Sequence, residues 1–236
     1  MIKTVLFDLD GTLRHNIPSG GDVFTDYART LGLSISTEEC QLAERWEHFY
    51  WAVSRELRAD LELHKGANSD FWGNYARRRL VALGAGPLRA RELAPLVNQY
   101  MQDKHKYESI VPEEIHGMLG KLKETGYRLG VVSNRDHPFI EEMEKLGLNP
   151  YFDLSLAGGE VGSFKPEPGI FHAALERMDA AAQETVYVGD NYFADVVGSR
   201  RAGLTPVLYD PRGLFPEAGC RTITSFDQLI FIVQTL

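Results

Sequence analysis

Close to its start the chain carries Thr4-Val5-Leu6-Phe7, a run without charge that breaks abruptly into Asp8-Leu9-Asp10-Gly11-Thr12. A strand covered on both faces reads this way, because neither side meets water and no polar residue has to alternate. Three later runs repeat the pattern. Leu129-Gly130-Val131-Val132 precedes Ser133-Asn134, Val186-Tyr187-Val188 precedes Gly189-Asp190, and Pro206-Val207-Leu208-Tyr209 precedes Asp210-Pro211. Helical patterns lie between them, over residues 112–125, 138–146, 168–178 and 195–202, several opening on Pro or Asp. Strands alternating with helices predict an α/β fold, a Rossmann-like and mostly parallel sheet covered on both faces. The polar residues that close the runs then gather at the carboxyl edge of that sheet, where such folds bind ligands.

From about residue 20 to residue 106 the pattern changes to long helical stretches, at 22–31, 37–59, 70–83 and 89–104, with no strand of the buried kind. This segment predicts an inserted α-helical domain over residues 19–106, leaving 1–18 and 107–236 as the α/β core. The aromatic residues Trp46, Phe49, Tyr50 and Trp51 fit either packing inside the insert or contact with a substrate.

With 44% hydrophobic and 25% charged residues the chain has the makings of an ordinary packed core. A net charge of −8 argues against nucleic acid polymers and anionic membranes as partners. No apolar run approaches the roughly 18 residues that span a bilayer. The two cysteines, Cys40 and Cys220, form no CxxC pattern, and the N-terminus shows no export signal, so a cytoplasmic location is expected. The seven histidines include no HxxxH pair of the zinc-hydrolase kind.

Asp8 and Asp10, two apart at a strand end, lean to one side if the extended conformation continues, and Gly11 allows the tight turn that follows. Alone, the pair fits an acidic site or two solvated turn residues equally. The full string Val5-Leu6-Phe7-Asp8-Leu9-Asp10-Gly11-Thr12 resembles the first signature of the haloacid dehalogenase superfamily, in its phosphatase branch with a helical cap. The later motifs follow in that family's order. Ser133-Asn134 resembles the second signature, Lys165 in Ser163-Phe164-Lys165-Pro166 the third, and Gly189-Asp190-Asn191-Tyr192-Phe193-Ala194-Asp195 the fourth.

The resemblance implies magnesium-dependent hydrolysis of a small phosphorylated metabolite through an aspartyl-phosphate. Asp8 is then the nucleophile and Asp10 the acid and base. Ser133, the backbone beside it at Asn134, and Lys165 hold phosphate, while Asp8, Asp190 and the carbonyl of Asp10 bind Mg2+. Asp195 either supports these residues or caps the following helix. Arg14 and His15, directly after the first motif, fit either contact with an anionic substrate or a solvated loop, and Arg135 and His137 read as loop residues rather than catalysts. The second acid at Asp10 disfavours carbon–halogen cleavage, which in this superfamily proceeds without it. The fourth motif looks like the branch of nucleotide and sugar-phosphate phosphatases. A phosphomutase of a sugar phosphate shares all four motifs, and a non-catalytic phosphometabolite-binding protein keeps the fold as well.

Overall fold

The computed structural model describes every residue from Met1 to Leu236. In chain order its main elements are β1 (Thr4–Phe7), β2 (His15–Ile17), α1 (Gly20–Thr30), α2 (Thr37–Trp51), α3 (Arg55–Leu63), α4 (Ser69–Ala82), α5 (Pro87–Lys104) and β3 (Glu108–Ile110). They continue as α6 (Glu113–Glu124), β4 (Arg128–Ser133), α7 (Ile140–Lys145), β5 (Leu154–Ala157), α8 (Gly158–Val161), α9 (Pro168–Arg177) and β6 (Thr185–Gly189). The chain ends with α10 (Val197–Arg201), β7 (Thr205–Tyr209), β8 (Arg221–Ile223) and α11 (Leu229–Thr235). No helix is long and apolar enough to cross a membrane.

Contacts divide the chain into two compact units, one of Met1–His15 with Ser109–Leu236 and one of Asn16–Glu108. The first is the α/β core. Its six strands are all parallel, in the order β5-β4-β1-β6-β7-β8. The chain winds outward from β1 to one edge and then returns to build the other, so the direction of winding reverses at β1. In open parallel sheets that reversal opens a crevice at the carboxyl ends of the strands.

Every residue of β1 is buried, as its unbroken apolar run requires. Val5 and Phe7 pack on one face with Ile115, Leu119 and Leu122 of α6, and with Phe226 and Leu229 near the C-terminus. Leu6 points the other way, into a layer with Ile170, Phe171 and Leu175 of α9. One strand thus belongs to two cores, which the period-two alternation of strand side chains dictates.

The second unit is helical, α1 to α5, with its own core of Phe24, Ala28, Ala76, Leu80, Leu93 and Val97 and a separate aromatic cluster. Tyr50, Phe71 and Tyr75 are buried in that cluster and Trp46 and Trp51 pack against it, while Phe49 is exposed. The helix expected over 37–59 is two helices. Ser54 caps the second by accepting from the amide of Leu57, and Val53 before it adopts a left-handed φ of 51°, which ends the first. The two passages between the units, β2 and β3, pair as a small two-stranded sheet. Four strands escaped the sequence reading. β5 and β8 are edge strands with partly exposed faces, and β2 and β3 are three-residue segments with no buried position.

Candidate active site

The adjacency of β4, β1 and β6 brings their carboxyl ends together, and with them Ser133, Asp8 and Asp190. Phe7 is level with Val131 on one side and Val188 on the other, so the residues that follow emerge side by side. Asp8 is only 6% exposed, and its amide donates to the carbonyl of Val188 at 2.9 Å. Ser133, the last residue of β4, is buried as well.

Lys165 supplies the one ammonium in this acidic corner. Buried at 2% exposure, its Nζ donates to Asp8 Oδ1, to Asp195 Oδ1 at 2.7 Å and to the hydroxyl of Tyr187 at 3.0 Å. An ammonium has three N–H bonds, so all are engaged. The Tyr187 hydroxyl in turn donates a hydrogen bond to the carbonyl of Val132 at 2.9 Å. The main chain of Lys165 is also held. Its N–H donates to Asn134 Oδ1 at 2.6 Å, and its carbonyl accepts from Asn134 Nδ2 at 2.9 Å. The side chain of Asn134 is therefore committed to the lysine loop, and only the backbone around it is left to serve a phosphate.

Asp190 is oriented by Thr12, which is fully buried. The hydroxyl donates to Asp190 Oδ1 at 2.9 Å and accepts the Asp190 amide at 3.0 Å. Gly11, at φ 92°, lies so close that a β-carbon there would sit 2.6 Å from Asp190 Oδ2. Asp195 is 1% exposed and is not the cap of its helix. Asn191 caps the π-helical turn Tyr192–Val196 by accepting from the amides of Phe193 and Ala194, and Asp195 Oδ2 instead accepts the Asn191 amide at 2.9 Å. One carboxylate oxygen from each of Asp8, Asp190 and Asp195 falls within 4.8 Å of the others.

Burial pushes the Asp8 carboxyl well above the usual carboxylate range; Lys165 pulls it back, and Asp195, Asp190 and Asp10 push it further up. Burial also works against the Lys165 ammonium, but the neighbouring carboxylates of Asp195 and Asp8 outweigh it and raise the lysine. Three carboxylates facing one ammonium leave a surplus of negative charge that favours a cation.

Asp10 lies in a different setting, more open to solvent. Arg135 reaches it with two parallel bonds, Nε to Oδ2 and Nη2 to Oδ1, each 2.9 Å, and Arg14 Nη1 adds another to Oδ1. Burial pushes the Asp10 carboxyl up, yet the bonds from Arg135 and Arg14 prevail and hold it below its ordinary value. Arg14 is thus not a solvated loop residue, and Arg135, although in a loop, is bound to Asp10 as well. His15 Nε2 donates to the Thr12 carbonyl at 3.0 Å, and the ring meets Tyr209 edge-on.

Thr12 and Tyr187 were legible in principle, for each lies inside a motif and is the polar member of an otherwise apolar stretch. Arg135 was not, because its partner is 125 residues away in sequence.

The profile of the haloacid dehalogenase-like hydrolases matches residues 5–208. The chain belongs to that family. Among family members it resembles, ribulose-1,5-bisphosphate 5-phosphatase of Halopiger xanaduensis is 32% identical over 216 residues, spanning 89% of this chain and 86% of that protein. Phosphoserine phosphatase of Thermus thermophilus is 32% identical over 235 residues, or 92% of this chain and 91% of its own. The crystal structure of a 2-haloacid dehalogenase from Pseudomonas syringae pv. Tomato DC3000 superposes with a TM-score of 0.57 at 26% identity, covering 100% of this chain and 99% of that one. Haloacid dehalogenase-like relatives of this chain thus include phosphatases and a dehalogenase.

Proposed function

We propose that this phosphatase of the haloacid dehalogenase-like family hydrolyses a small phosphomonoester, of the nucleotide or sugar-phosphate class, with magnesium and through an aspartyl-phosphate on Asp8. The observation that carries the reading is the buried Asp8 at the end of the central strand, ion-paired with Lys165 and flanked by Asp190 and Asp195.

Oxygen donors suit magnesium, and the surplus of carboxylates supplies the charge. Asp195 already spends Oδ1 on Lys165 and Oδ2 on the Asn191 amide, so we assign it to holding the lysine. Asp8, Asp190 and the carbonyl of Asp10 are assigned to the ion. When bound, the ion supplies the positive charge that lets a carboxylate approach a phosphate dianion.

In this mechanism an Asp8 oxygen attacks phosphorus, and the bond to the leaving oxygen breaks with its electron pair. That oxygen takes a proton from Asp10, which has to carry one when substrate is bound although Arg135 and Arg14 favour its charged form. Water then attacks the phosphorus and gives a proton to Asp10, the bond from Asp8 oxygen to phosphorus breaks, the Asp8 carboxylate is regenerated and inorganic phosphate is released. Ser133, the amide of Asn134 and Lys165 hold the phosphoryl oxygens. Since all three Lys165 N–H bonds are engaged in the protein, one has to move from its partner to the substrate.

A leaving alkoxide needs a proton and a halide does not, so an acid at Asp10 favours phosphoester cleavage over dehalogenation. The helical insert, residues 19–106, is assigned the choice of substrate. Two thiols without a disulfide, Cys40 and Cys220, suit a reducing cytoplasm.

A panel of phosphomonoesters assayed with magnesium, with and without chelator, tests the reading. Wild type is expected to release phosphate only with the metal, and Asp8→Asn to lose at least ~1,000-fold in kcat, as removal of a nucleophile does. Full activity of that variant, or indifference to chelator, would overturn it.

A further inference from the structure

Asp10 is the least buried acid of the site, yet it is the most tightly gripped. Arg135 lies on it in the two-bond fork that a guanidinium makes with a carboxylate, and the far side of the same guanidinium is forked onto Glu142, Nη2 to Oε1 at 3.2 Å and Nη1 to Oε2. Glu142 belongs to α7 and also forms an ion pair with Arg14, whose Nε lies 3.2 Å from Oε1 without hydrogen-bond alignment. Arg14 in turn donates to Ser109 Oγ at 2.6 Å. Two arginines thus hold two carboxylates in a closed ring, tied to a helix on one side and to the backbone following the first motif on the other.

A planar fork fixes the plane of the carboxylate as well as its position, which a point charge such as lysine does not. It also leaves the two oxygens unequal. Oδ1 accepts from Arg14 and Arg135, whereas Oδ2 accepts from Arg135 alone. A carboxylate oxygen has about two acceptor positions, so the unspent one is on Oδ2.

We propose that Arg135, backed by Glu142, is a positioning residue for Asp10: it sets the plane of the carboxylate so that Oδ2 is the oxygen that exchanges a proton with the leaving group and then with water. This rests on the reading of Asp10 as the proton carrier. Arg135 does not touch the substrate in this scheme. Its removal leaves phosphate binding in place and damages proton delivery, which matters in proportion to the basicity of the leaving group.

Two aryl phosphates of similar shape separate the effects. Phenol is a basic leaving group with a pKa near 10, and p-nitrophenol is far less basic. With magnesium present, Arg135→Gln is expected to lower kcat on phenyl phosphate about tenfold more than on p-nitrophenyl phosphate, with KM changed less than about threefold on either. Arg135→Lys should fall between Arg135→Gln and wild type, and Glu142→Gln should shift the same ratio by a smaller factor. Asp10→Asn, with the acid gone, should show the largest ratio. Equal losses on the two substrates, an effect confined to KM, or wild-type kcat in Arg135→Gln would overturn the proposal. Asp8→Asn in parallel keeps the two readings apart: if it is inactive while Arg135→Gln shows no leaving-group dependence, only the positioning role fails. If Asp8→Asn stays active, the nucleophile assignment fails instead. A thermal melt of Arg135→Lys and Arg135→Gln confirms that both are folded, and the ratio is read on whichever variant melts with wild type.

Discussion

Two positions without a side chain decide where two acids of this site can stand. Gly11 and Gly189 each abut a carboxylate. A β-carbon on Gly11 would lie 2.6 Å from Asp190 Oδ2, and one on Gly189 would lie 2.3 Å from Asp195 Oδ2. Both distances are below any that real β-carbons adopt, so Asp190 and Asp195 stand where they do because those two positions have no side chain. Gly11→Ala is expected to displace Asp190 and to raise the magnesium concentration for half-maximal activity at least about tenfold, since its φ of 92° adds backbone strain to the clash. A magnesium titration of phosphatase activity reads this directly, and an unchanged midpoint would refute it. At this scale the sequence motifs mark Asp8, Ser133 and Asp190 by their place at strand ends and Lys165 by its place in the loop before α9. What escaped was the partner of each. Whether Asp195 caps a helix or holds a lysine depends on Asn191 taking the cap first, a competition between neighbouring side chains that no spacing rule decides.

Elements bring those residues to one edge, and β4 shows how its own register is held. The carboxylate of Asp153, just before β5, accepts the Leu129 amide at 2.9 Å and Lys123 Nζ at 2.8 Å, while its own amide donates to the Leu129 carbonyl at 2.7 Å. Burial pushes the Asp153 carboxyl up, but the bonds from Lys123 and Leu129 win and lower it. A carboxyl depressed in the folded state stabilises above its unfolded value, near pH ~4, and the contribution fades as pH falls through the lower folded value. Asp153→Asn should therefore be less stable than wild type at pH 7, by about 1 kcal/mol or less for so exposed a pair, with the gap closing in acid. Urea melts at pH 7 and at about pH 3.5 would show it. A gap that widened in acid would contradict the assignment. Buried central strands were easy to read because their apolar runs are unbroken. β5 and β8 were not, since an edge strand keeps one side in water and its pattern merges with that of a loop. The division of the long helix at Val53 and Ser54 was hidden for another reason, as serine at that point also fits a helix surface.

Taken as a whole, the molecule has two sets of hydrophobic clusters with no member in common, those of the α/β core and those of Asn16–Glu108. Each unit therefore has its own source of stability. Replacing residues 19–106 by a short glycine-serine linker is expected to leave the parallel sheet folded, with a cooperative melt and the near-ultraviolet signal of its packed aromatic residues intact. Loss of cooperativity would show that the core depends on the insert. In the sequence, helical periodicity without buried strands sets the stretch after about residue 20 apart from what flanks it. The small ribbon of β2 and β3 carries a consequence of its own. Because the two strands run side by side, the ends of the insert are already neighbours, and the sheet encounters some ninety intervening residues merely as a closed loop. Closing such a loop costs entropy that grows only with the logarithm of its length, so inserts of quite different size are interchangeable at this doorway with little effect on the stability of the sheet beneath.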